Sequence, residues 1–111
     1  MLFNKMLKAL QNKDSEKFLD LIHRDFVMVS HQTRTTRDKH EFVSMVKLMM
    51  SSESLTFSEQ RCLYENDDIL VEHSFISFPD KTSEAVLAVW TKEDNKFIRV
   101  ETGATKIDDL S

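Results

Sequence analysis

At 111 residues the chain has the length of one domain, and residues 1–111 are read as a single unit. Hydrophobic residues make up 41% and charged residues 31%, enough for one core under a solvated surface. The net charge of −4 argues against nucleic acid as a partner, since such binders usually carry a basic patch. The one short basic cluster, Arg34, Arg37, Lys39 and His40, reads as loop solvation. A single cysteine, Cys62, excludes an internal disulfide framework and Cys-x-x-Cys zinc or redox sites, and fits a reducing compartment. No run is long and apolar enough to span a membrane. Lys5 and Lys8 interrupt the apolar N-terminus and no small-residue cleavage site follows, so the expected location is the cytoplasm.

Leu2, Phe3, Met6, Leu7 and Leu10 recur at helical spacing and predict an amphipathic first helix. Asp14 or Ser15 caps a second, from Glu16 to about His23, with Phe18, Leu19 and Ile22 inward. Phe26 to Ser30 reads as a strand, and the polar stretch from His31 to Arg37 as a crossing to a third helix. Asp38 with Glu41 forms a capping box for that helix, whose buried stripe is Phe42, Met45, Val46 and Met49. From Leu55 the period changes to two. Strands are expected over Thr56–Tyr64 and Ile69–Phe78, with turns at Asn66–Asp68 and Pro79–Lys81. The strongest strand signal is Glu84 to Ile107, two runs rich in Val, Ile, Phe, Trp and Thr around Glu93-Asp94-Asn95. The order α-α-β-α-β-β-β-β predicts an α+β fold, with helices on one face of a twisted antiparallel sheet and a concave side suited to a small ligand.

Gly103 is the only glycine, so the Gly-x-Gly-x-x-Gly, P-loop and Gly-x-Ser-x-Gly motifs are impossible; His-Glu-x-x-His is also absent. His23, His31, His40 and His73 lack metal-ligand spacing, and neither a metal nor a cofactor is expected. His31 ends a strand before a polar loop, where it can exchange a proton at a cavity rim or simply be a hydrogen-bonded strand-end residue. His73 alternates with Ile69, Val71 and Phe75, as a pocket group or a satisfied core histidine. Arg99 and Glu101 share one alternation of the last strand, opposite Ile98, Val100 and Thr102, and are either solvated or turned into a covered face. Trp90, on one face with Val86 and Ala88, suits a pocket wall, a core or a dimer face. Tyr64 can donate a phenolic proton, and Met45 and Met49 can form an adaptable apolar lining.

Three stretches carry a resemblance: FLDLIHRDFVMVSHQT (18–33), DKHEFVSMV (38–46) and VWTKEDNKFIRVETGATKI (89–107). With them the chain resembles the nuclear-transport-factor-2-like superfamily, nearest its SnoaL-like and ketosteroid-isomerase-like small proteins. That resemblance implies a cone-shaped, cystatin-like α+β fold in which a curved sheet wraps around N-terminal helices. It also implies a conical pocket, and often a homodimer through the outer sheet face. Ketosteroid isomerases use a carboxylate base, but no carboxylate lies between Val27 and Arg37, and His31 is the titrating candidate there. The expectation is therefore a metal-independent isomerase, dehydratase or cyclase of a small apolar or carbonyl compound. His31, His73 and Glu101 would be its catalytic groups, and Trp90, Arg99, Tyr64, Met45 and Met49 its substrate-binding groups. The rival readings are a non-catalytic small-molecule binder and a dimerisation module.

Overall fold

A computed structural model describes residues 1–107. Its elements run α1 (Leu2–Gln11), α2 (Ser15–Leu19), β1 (Ile22–Ser30), β2 (Thr35–Asp38), α3 (Lys39–Met50), β3 (Thr56–Glu65), β4 (Ile69–Ser77), β5 (Ser83–Glu93) and β6 (Lys96–Ile107). The expected order holds, with one short strand, β2, inserted where the polar crossing was expected. The sheet has six strands in the order β2-β1-β6-β5-β4-β3. It is mixed rather than wholly antiparallel, because β1 lies parallel to β6. β2 is a polar edge strand: it pairs only with β1, through Val27–Asp38 to Ser30–Thr35.

Local chemistry sets the boundaries. Asp38 and Glu41 form the reciprocal capping box of α3, each side chain accepting from the other's backbone N–H at 2.9 and 3.1 Å. Asp14 caps α2 by accepting from the N–H of Lys17. That helix stops at Leu19 because the chain is already extended from Ile22, four residues before the expected strand start. Asp94 and Asn95 both take left-handed φ values, 53° and 58°, the geometry of a type I′ turn between β5 and β6. Asn66 Oδ1 accepts from the N–H groups of Asp68 and Ile69, both at 2.8 Å, and closes the β3–β4 turn.

Irregularities in pairing bend the sheet. β3 shifts register between Ser58 and Arg61, where Glu59 has φ 50°, and again between Cys62 and Tyr64. A further shift at Thr91/Lys92 turns both Phe97 and Val100 into the core. The helices cover the concave face. Phe18, Phe26, Phe42, Trp90 and Phe97 meet there in one cluster with Met6, Ile22, Leu70 and Val100. Phe26 and Phe42 approach to 4.5 Å between ring centroids, and Trp90 and Phe97 to 4.6 Å.

Candidate functional site

The aromatic cluster does not fill the cone. A cavity of about 260 Å³ remains between the helices and the inner face of β4, β5 and β6, slightly below the usual range for ligand sites, roughly 300–1,000 Å³. Helix α3 contributes Phe42, Met45, Val46, Met49 and Met50, because these positions recur at three and four residues on one face. Phe18 and Leu10 come from the other two helices. The sheet presents alternate residues: Glu72, Ser74 and Ile76 from β4, Glu84, Val86, Ala88 and Trp90 from β5, and Val100, Thr102 and Ala104 from β6. Pairing of Glu72 with Ala88, and of Ala88 with Thr102, sets these three at one depth, next to the Trp90–Val100 layer. Exposed Gln32 lies at the opposite, open end.

Glu72 is the one deeply buried acid of the cavity, 5% exposed. The Trp90 indole N–H donates to its Oε2 at 2.6 Å. The Gln60 side-chain amide donates to its Oε1 at 3.4 Å. Burial pushes the Glu72 carboxyl above the usual range; the two donated hydrogen bonds oppose this and are outweighed. The arrangement is a carboxylate held in an apolar cavity, oriented by two neutral donors, with its proton affinity raised toward that of a useful general base. Buried Ser74, one step along the same face of β4, brings a hydroxyl into the cavity, and Thr102 brings another from β6.

Three of the residues singled out from sequence line this cavity: Trp90, Met45 and Met49. Five do not. His31 is exposed, with Nε2 3.4 Å from Glu101 Oε2. Arg99 donates to Glu101 Oε1 at 3.0 and 2.7 Å, so His31, Arg99 and Glu101 form a surface cluster on the convex side. Its two donors hold the exposed Glu101 carboxyl below the usual range, Arg99 more than His31. His73 has the opposite parity to Glu72, and its ring lies edge-on to Phe75 at 5.3 Å. Its Nδ1 is buried without a hydrogen-bond partner among the described residues. Tyr64 is 57% exposed beyond the second irregularity of β3. The acid–base roles assigned to His31, His73 and Glu101 therefore do not attach to the cavity, nor do the substrate-binding roles of Arg99 and Tyr64.

The residue missed from sequence is Glu72. The signal for it was its alternation with Leu70, Ser74 and Ile76, which is less apolar than that of Ile69, Val71 and Phe75. Among the described residues no group of three or more His, Cys, Asp or Glu side chains is gathered as a metal-binding set. No helix among them is long and apolar enough to cross a membrane.

A family model described as the SnoaL-like domain matches residues 3–100. The chain belongs to the SnoaL-like family. No curated protein matches this SnoaL-like chain. Solved structures with the same fold include a nuclear-transport-factor-2-like protein of unknown function from Mesorhizobium loti, with a TM-score of 0.81 at 10% identity over 94% of this chain and 88% of that one. A second, also of unknown function, is from Burkholderia xenovorans, with a TM-score of 0.78 at 11% identity over 97% and 83%. A third is a proposed ketosteroid isomerase from Kribbella flavida, with a TM-score of 0.78 at 13% identity over 99% and 79%. At such identities the likeness is one of fold, the nuclear-transport-factor-2-like cone.

Proposed function

We propose that this SnoaL-like chain is an acid–base catalyst of a small, largely apolar carbonyl compound, with Glu72 as the group that moves the proton. The observation that carries the reading is a buried carboxylate facing the cone with a raised proton affinity and two fixed donors. In this scheme Glu72 takes a proton from the carbon next to the carbonyl, and the electron pair moves to the carbonyl oxygen. That oxygen accepts from the Ser74 or Thr102 hydroxyl. Glu72 then returns the proton to another carbon, an isomerisation, or to a departing hydroxyl, a dehydration. Trp90 and Gln60 position the carboxylate. The similarity to the proposed isomerase from Kribbella flavida supports the same class.

The test is exchange of α-protons from a panel of small apolar ketones and β-hydroxyketones into D2O, followed by NMR. Exchange above buffer is expected with at least one compound, falling about 100- to 10,000-fold in Glu72→Gln, the range for losing a general acid or base. Arg99→Ala, altered on the convex surface, should leave it unchanged. A second reading, non-catalytic binding of a small molecule, is favoured by the two partners of Glu72, neither of which titrates. Compounds that perturb Trp90 emission without exchanging protons would select it.

We also propose a homodimer through the convex sheet face. Exposed Tyr64 and Leu87 support it. A monomeric sedimentation coefficient at the concentrations used for assay would remove this proposal.

A further inference from the structure

Glu72 and Glu84 are the only charged side chains lining the cavity among the described residues, and both are acidic. The N–H donors at its inner end are largely committed: the single N–H of Trp90 and one of the two Gln60 amide N–H groups point to Glu72. A carboxylate offers about four lone-pair sites, so Glu72 keeps accepting capacity after these two bonds. What remains at that depth is chiefly the Glu72 acceptor, beside one Gln60 N–H and hydroxyls that can turn either way. Phe18 and Trp90, edge to face at 6.3 Å between centroids, supply apolar wall and no positive charge.

We propose that the cone selects ligands whose inner end donates hydrogen bonds, so that it takes hydroxylated apolar molecules, holds apolar amines more tightly, and turns away carboxylates. A carboxylate beside Glu72 would place two like charges in one water-poor site, and one of them would have to take up a proton. A protonated amine there forms a charge-assisted bond to Glu72. This inference rests on the cone being the ligand site; it does not require turnover.

The probes are three molecules of one shape: cyclohexylmethanol, cyclohexylmethylamine and cyclohexanecarboxylate. Their binding is followed by emission of Trp90, the only tryptophan. Above the titration of Glu72 the amine should bind at least about tenfold more tightly than the alcohol, and the carboxylate at least about tenfold more weakly, as expected for a charge-assisted bond gained or a like charge met. In Glu72→Gln this spread should collapse while the alcohol still binds. In the unmodified protein, amine affinity should rise with pH as Glu72 ionises and alcohol affinity should rise much less, a measurement that does not depend on the variant folding. The other titratable groups facing Glu72 are Glu84 in the cavity and Cys62, its cross-strand partner on β3; Glu84→Gln should keep most of the spread. Equal binding of alcohol and carboxylate, or a spread that survives Glu72→Gln, overturns the proposal and leaves the cavity as the ligand site. Failure of all three to bind overturns both.

Discussion

Two glutamates are buried on the inner side of adjacent strands, and the protein treats them differently. Glu65, at the end of β3, has an 8% exposed side chain against Lys92, 3% exposed, with Nζ 2.7 Å from its Oε2. The same carboxylate accepts the N–H groups of Leu2 and Phe3, which start α1, at 2.9 and 3.3 Å. No side chain of the helix's own first residues caps it. Glu65 thus meets a cation and the positive end of a helix. Glu72 meets neither; its partners are two neutral donors. A buried acid with matched charge fastens an element in place. A buried acid without one sits in a less stable state that a ligand or a proton can relieve.

Removing the fastened acid should have the larger effect on stability. Glu65→Ala leaves the Lys92 ammonium buried and unpaired and strips α1 of its acceptor, a loss of about 3–5 kcal/mol for a broken buried pair. Urea unfolding measures it directly, and Glu65→Gln, which keeps an acceptor for the helix, should recover part of the loss. Because Leu10 of α1 lines the cavity, ligand binding should weaken alongside. A change below about 1 kcal/mol, the value of an exposed pair, would mean that this contact does not hold the helix.

The contrast also explains how far the sequence could be read. The helices, the capping box of α3 and the β5–β6 hairpin follow from local pattern, because capping and turn chemistry act over three or four residues. The parity of β4 does not. Its more apolar alternation, Ile69, Val71 and Phe75, carries His73 with it, yet Leu70, Glu72 and Ser74 are the buried residues. A shift of one residue exchanges the faces of a strand, and a cavity built for polar chemistry weakens the apolar signal that would mark its own side. In β6 the register shift opposite Thr91/Lys92 puts Phe97 inside and Arg99 outside, although simple alternation places them together. β2 leaves no linear signal because an edge strand of Thr35, Thr36, Arg37 and Asp38 buries little and, among the described residues, pairs on one side only. Pairing between distant strands decides all three, and a linear pattern does not carry it.

The unmatched acid gives the smaller stability effect, of opposite sign. Burial raises the Glu72 pKa above its ordinary value of 4.5. As pH rises past that value, the unfolded chain gives up the proton while the folded protein still holds it. Stability from this group is therefore lost with rising pH, until the folded carboxyl itself ionises. Glutamine does not titrate and keeps much of the shape and polarity of the protonated acid. At about pH 4, where both states of the natural protein are largely protonated, Glu72→Gln should change stability little. At about pH 8 it should be the more stable protein, by about 0.5–2 kcal/mol, the usual range for a stabilising substitution at a strained functional position. Urea midpoints measured across that span give the difference as a curve. Two parallel curves would show that the burial of Glu72 costs nothing, and the distinction between the two glutamates would then fail. Curves that diverge upward from the acid side, together with lost proton exchange in the same variant, would show one substitution gaining stability while it removes the chemistry.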